Sequence, residues 1–264
     1  MRLWKRLALL TSVTVLAACS GTTGGALVTL PFSAGGAQVP STFTSATGWT
    51  VTLDQALIAL GPFYFNISPP TTDTFRTGIV IIQATEQVVV DVLNPTLYPV
   101  TGGADGETGT AVAVEIDLFA PDQTQTAPIH ELLGNDIGFV AGSASKGSTT
   151  VQFAGPVAIN PNQATAQQPL PWFQRVNGAA VDLVFSASPQ ALELRVDPTH
   201  WFDSADFSQL LKGSPANGVY TWDVSACTTS SQAPAQVGQC AFLAALEQGI
   251  RADSGVYFFQ LTSH

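Results

Sequence analysis

The run Thr110 to Phe119 (TAVAVEIDLF) constrains this chain more than any other stretch, because its side chains alternate with a period of two. Val112, Val114, Ile116 and Leu118 fall on one side, and Ala113, Glu115, Asp117 and Phe119 on the other. A pleated strand sends successive side chains to opposite faces, so this pattern fits a strand and not a helix. Other stretches follow the same rule. Trp49 to Leu53 alternates, and Gln87 to Leu93, Phe139 to Ala144, Thr149 to Ile159, Ala179 to Ser186, Ala191 to Val196 and Gly255 to Thr262 read as further strands. Leu57 to Phe65 is apolar on both faces and is interrupted by Gly61-Pro62, as in a buried strand with a bend or bulge. Residues 66–73, Tyr98 to Gly109 and residues 160–171 read as the loops between strands.

Two segments carry helical spacing instead. Ser204 to Lys212 predicts a short helix capped by Ser204, with Phe207, Leu210 and Leu211 on one face and a stop at Gly213. Gln239 to Arg251 places Phe242, Leu243, Leu246 and Ile250 on a second helical face. Composition agrees with this balance. Charged residues are 11% of the chain against 45% hydrophobic, and 23 Gly with 17 Pro favour short strands joined by turns. The expected fold is all-β: an antiparallel two-sheet β-sandwich with one or two short helices near the C-terminal end, forming a single domain over residues 27–264.

The chain opens differently. Arg2, Lys5 and Arg6 precede an apolar run from Leu7 to Leu16, and small residues Ala17 and Ala18 lead into Cys19. The run is about ten residues, too short for the roughly twenty that span a bilayer, and reads as the core of an export signal. Its ending, Leu16-Ala17-Ala18-Cys19, resembles the lipobox of bacterial lipoproteins. That resemblance implies a signal peptide over residues 1–18, cleavage before Cys19 and acylation of its thiol, palmitate being one such chain. Ser20 stands where lipoproteins kept in the inner membrane often carry Asp, so the resemblance favours the outer membrane, facing the periplasm or beyond. Residues 19–26 are small and flexible in composition and read as the tether.

Cysteine arithmetic fits this reading. Of the three cysteines, lipid on Cys19 leaves Cys227 and Cys240 to form a disulfide in an oxidising compartment. Charge narrows the partners. Three of the nine basic residues lie in the leader, so six remain against nineteen acidic ones, a net −13 with histidines neutral. Such a surface repels nucleic acid and anionic lipid, so membrane attachment is expected through the lipid and no nucleic-acid partner is expected. An envelope protein or a small ligand is the expected partner.

The densest polar constellation is Asp197, His200, Asp203 and Asp206, spaced every three residues between a strand and a helix. Imidazole with carboxylates suits zinc or copper, so His130, Asp197, His200 and Asp203 form a candidate metal set if the fold gathers them. The competing reading is that the acids cap the helix start. Asp105 and Glu107 lie between glycines but lack the ligand register of a calcium loop. Trp49, Trp172, Trp201 and Trp222 are either core residues or a sugar platform. Nucleophile-elbow, zincin and phosphate-loop motifs are all missing. The sequence therefore favours a membrane-anchored lipoprotein with a non-enzymatic binding or structural role. A metal-handling lipoprotein holding copper or zinc is the alternative, and an envelope hydrolase a further one.

Overall fold

In a computed structural model of the chain, the described residues are 24–68, 79–118, 120, 133, 136–157, 174–224, 227 and 234–263. In chain order the first strands are β1 (Leu27–Leu30), β2 (Phe32–Gly36), β3 (Thr42–Thr44), β4 (Thr50–Leu60) and β5 (Phe63–Asn66). Next come β6 (Val80–Ala84), β7 (Val88–Asp91), β8 (Tyr98–Pro99), β9 (Ala104–Glu107), β10 (Gly109–Leu118) and β11 (Gly138–Lys146). The series ends with β12 (Thr149–Val157), β13 (Gln174–Phe185), β14 (Gln190–Val196), β15 (Val219–Tyr220) and β16 (Tyr257–Ser263). Two 3-10 turns, Thr199–Phe202 and Phe207–Lys212, follow β14, and one α-helix, α1 (Pro234–Ile250), precedes β16.

The expected β-rich, sandwich-like architecture is the observed one. Hydrogen bonding divides its strands among three sheets where two antiparallel ones were expected, and two of the three contain a parallel pairing. The first, wholly antiparallel, runs β1-β9-β6-β5-β10-β13. The second runs β15-β12-β11-β4-β3, with β7 also paired to β4, and its β12–β15 pairing is parallel. The third runs β16-β14-β2-β8 and contains a parallel β14–β2 pairing.

The bend expected at Gly61-Pro62 is where the chain leaves the second sheet and enters the first, as β4 becomes β5. Gly61 has φ +105°, and a Cβ there would lie 2.7 Å from the Glu86 carbonyl oxygen. Only glycine fits that corner without strain.

One continuous core joins the sheets and holds two groups of rings. Phe32, Phe63, Phe65, Phe185 and Phe259 meet between the first and third sheets, several edge to face. Trp49, Phe153, Phe202, Phe207, Phe242 and Trp222 tie the second sheet to the 3-10 turns and α1. Each fully buried ring contributes roughly 1.5–3 kcal/mol, which is why these turns hold without a long helix beneath them.

Three sequence expectations need correction. Tyr98 to Gly109 is not one long turn, since it contains β8 and β9. Clean alternation along β10 also fails. Register shifts against β13 fall between Ala111 and Ala113 and between Val114 and Ile116. Val112 is 37% exposed, while Ala113 to Leu118 are buried on both faces, Glu115 and Asp117 included. Finally, the Ser204 helix is a shorter 3-10 turn capped by Asp206, whose carboxylate accepts from the Ser208 amide. Its stop at Gly213 stands.

Candidate functional site

The site grows out of how α1 lies on the 3-10 turns. Phe242, Leu243, Leu246 and Ile250 form its buried face. Gly238 and Gly249 bring it close: a Cβ on Gly238 would lie 2.4 Å from the Gln209 carbonyl oxygen, and one on Gly249 2.2 Å from that of Trp201. Beside this contact opens a cleft of about 880 Å³, lined among others by Arg175, His200, Asp203, Glu247, Arg251 and Asp253. Its wall carries both signs of charge. Glu247, only 3% exposed, extends the apolar face of the helix with an acid. Arg251 donates through Nε to the Arg175 carbonyl oxygen at 3.3 Å and so ties the end of α1 to β13.

Arg175 connects the cleft to a buried charge cluster in the first sheet. Its Nε donates to Asp117 Oδ1 at 2.6 Å, and its Nη1 lies 3.4 Å from Glu115 Oε2. The guanidinium also stands 5.6 Å from the centre of the Tyr64 ring. Register explains the gathering, because Tyr64 pairs with Glu115 and Asp117 with Arg175 on neighbouring strands. Burial pushes the Glu115 carboxyl above its ordinary range, against the pull of Arg175, and Asp117 adds to the rise. Burial likewise raises Asp117, although the Arg175 hydrogen bond and charge oppose it.

Of the sequence-selected metal set, the structure brings together His200 and Asp203, with Nδ1 to Oδ2 at 2.7 Å on a solvent-exposed face. Asp197 instead accepts from the Thr199 amide at 2.8 Å and shapes the turn. His130 lies outside the described residues. Asp206 accepts from Ser208 and from Trp49 Nε1 at 3.3 Å; burial works to raise its carboxyl, but these bonds and one from Gln209 hold it below its ordinary value. Among the described residues, no group of three His, Cys, Asp or Glu is gathered to hold a metal ion.

The tryptophans are core rather than a sugar platform where they are described: Trp49, Trp201 and Trp222 are 3%, 0% and 5% exposed. Trp222 lies over Gly155 and donates to the Pro156 carbonyl oxygen at 2.6 Å. Trp172 falls outside the described residues. Glu107 does not sit in a solvated loop, since it is buried at the end of β9 and accepts from the Gly25 amide at 3.3 Å.

Sequence reasoning missed the cluster of Glu115, Asp117 and Arg175. A signal was present, because Glu115 and Asp117 share one side of a strand with Ala113 and Phe119. Two acids beside apolar neighbours, in a chain with few basic residues, ask for a counter-charge.

Fold and site together define a β-rich protein with a charge-lined cleft between its C-terminal helix and a 3-10 turn, stapled by a disulfide. Cys227 and Cys240 form that bond, with Cα atoms 5.4 Å apart. No protein-family model matches the chain, and no curated protein does. Among solved structures, MbnP from Methylosinus trichosporium is similar over 90% of this chain and 99% of its own, at 10% identity and a TM-score of 0.33. Likeness at that level carries no inference about either fold or function.

Proposed function

We propose that this chain is a bacterial lipoprotein, anchored through acylated Cys19, whose β domain serves a non-enzymatic binding role in the cell envelope, with the outer membrane favoured. The observation that carries this reading is the Cys227–Cys240 disulfide. It uses two of the three cysteines, so the remaining one is the cysteine that ends the lipobox-like leader. A disulfide also suits an oxidising compartment, where an exported chain would fold. The cleft beside α1 supplies a place for a small polar ligand, with acidic and basic groups on its wall.

Metabolic labelling with an alkyne-bearing palmitate, in a bacterial host, tests the anchor. The wild-type chain takes up label and shortens by its leader, whereas Cys19→Ser does neither. Equal labelling of that variant would overturn the reading.

A metal-handling role is the second reading, and one observation favours it. Asp203 Oδ2 lies 2.7 Å from His200 Nδ1; with the ring proton on Nδ1 this contact orients the imidazole and leaves the Nε2 lone pair for a metal, the arrangement common among histidine ligands. His130 is the sequence's candidate for a further ligand. Native mass spectrometry of the mature domain with one equivalent of copper or zinc decides the matter. An unchanged mass removes this reading.

A further inference from the structure

The apolar residues that the fold leaves in water are not scattered. Eight large hydrophobic residues are exposed among the described residues, and five of them lie on strands of the first sheet or directly beside their ends: Leu27 (73%), Val184 (60%), Ile79 (54%), Ile67 (39%) and Val112 (37%). Strand direction places these five at one end. β1 begins there, since Leu27 faces Glu107, the last residue of β9. β5 ends there beside the start of β6, with Asn66 facing Val80 and the Ile67 amide bonded to the Ile79 carbonyl oxygen at 3.0 Å. β10 starts there, and β13 ends against it, with Val184 facing Thr110. The antiparallel pairings thus bring five separate chain segments to a single apolar rim.

The same rim is where the domain meets its N-terminal segment. Gly25 and Ala26 are bound to Glu107 and Thr108 at that end, through the Gly25 amide on Glu107 and the Ala26 amide on the Thr108 hydroxyl. Upstream of them stand only Ser, Gly and Thr residues back to Cys19. Leu27 stands eight positions after Cys19. Such a segment spans about 28 Å fully extended and about 16 Å on average as a Gly/Ser-rich coil.

We propose that this end of the first sheet, marked by Leu27, Ile67, Ile79, Val112 and Val184, rests on the lipid bilayer to which Cys19 is tethered. The inference rests on the lipoprotein reading above and adds an orientation to it. A lipid surface is the occupant that the short tether brings to this rim, because the N-terminal segment enters the domain there. Contact buries apolar area in the interfacial region and adds to the hold of the acyl chains. Because the domain is strongly acidic, the contact depends on apolar residues and is best formed on a membrane without net negative charge.

The test is carbene footprinting with a water-soluble diazirine. The full chain is purified in its acylated form and reconstituted into phosphatidylcholine vesicles, and the Cys19→Ser chain is mixed with the same vesicles. The proposal expects a several-fold loss of labelling at Leu27, Ile79 and Val184 in the acylated chain, with Leu211, Val237 and Phe258 unchanged as exposed controls on other elements. A Leu27→Ser/Val184→Ser chain, still acylated, should regain labelling at Ile79. Acylation shown by intact mass without protection at the rim overturns the orientation and leaves the anchor standing. A chain that is not acylated overturns both. Protection of the Cys19→Ser chain in the absence of vesicles would mean that a second copy covers the rim, and would also overturn the proposal.

Discussion

Arg175 stands between two buried carboxylates, bonded to Asp117 at 2.6 Å and placed 3.4 Å from Glu115. All three side chains are nearly or wholly removed from water, so one guanidinium answers two acids. Burial raises both carboxyl pKa values, and the pull of Arg175 offsets that rise only in part.

Arg175→Met leaves both acids without their counter-charge and should lower stability by about 3–5 kcal/mol, as for other broken buried ion pairs. Urea unfolding of the mature domain measures this. Adding Glu115→Gln and Asp117→Asn to the same chain should recover most of the loss, because no uncompensated charge is then buried. A triple variant as unstable as the single one would show that Arg175 acts through packing instead.

The pH dependence has a definite sign. A carboxyl whose folded value is raised binds its proton more tightly in the native state, so its contribution is present at low pH. That contribution is lost as pH climbs from the ordinary carboxylate range through the raised values of Glu115 and Asp117. Glu115→Gln removes one such group and should flatten the decline in stability between acid and neutral pH. Thermal melts across that window read the difference, and an unchanged slope would refute the assignment.

Reducing the Cys227–Cys240 bond releases a closed loop with a sequence separation of 13 residues. In the chain-entropy account such a loop is worth about 3 kcal/mol. The Cys227→Ser/Cys240→Ser chain should melt roughly 6–12 °C lower by calorimetry, given how domains of this size convert free energy to melting temperature.

Gly155 lies under the Trp222 indole, where a new Cβ would come within 2.4 Å of the ring. Gly155→Ala should displace that ring, disturb its hydrogen bond to Pro156 and cost about 1–3 kcal/mol through overpacking. Altered tryptophan emission together with a lower urea midpoint would report both effects.

By itself the sequence determined the character of the chain. Period-two alternation and the wealth of Gly and Pro specify strands and turns, because those signals are local to the backbone. The spacing of Phe242, Leu243, Leu246 and Ile250 likewise marked α1, although the helix begins five residues earlier, at Pro234. The cysteine count pointed to the Cys227–Cys240 pair that the structure contains. Leader and tether were legible only as expectations, since Cys19 lies outside the described residues.

Tertiary structure alone decided how the strands divide among three sheets, which residues form the cleft and which apolar residues stay exposed. Val112 illustrates why. It shares one side of the strand with buried Val114, Ile116 and Leu118, yet it stands in water, because neighbouring elements cover both faces of β10 only from Ala113 onward and there bury Glu115 and Asp117 as well. Pairing register depends on residues more than fifty positions apart, and no local pattern carries it. The same holds for Asp197 and Asp203. Their regular spacing suggested a shared ligand, yet one carboxylate holds a turn amide and the other a histidine ring, because a donor close in the chain claims each acid.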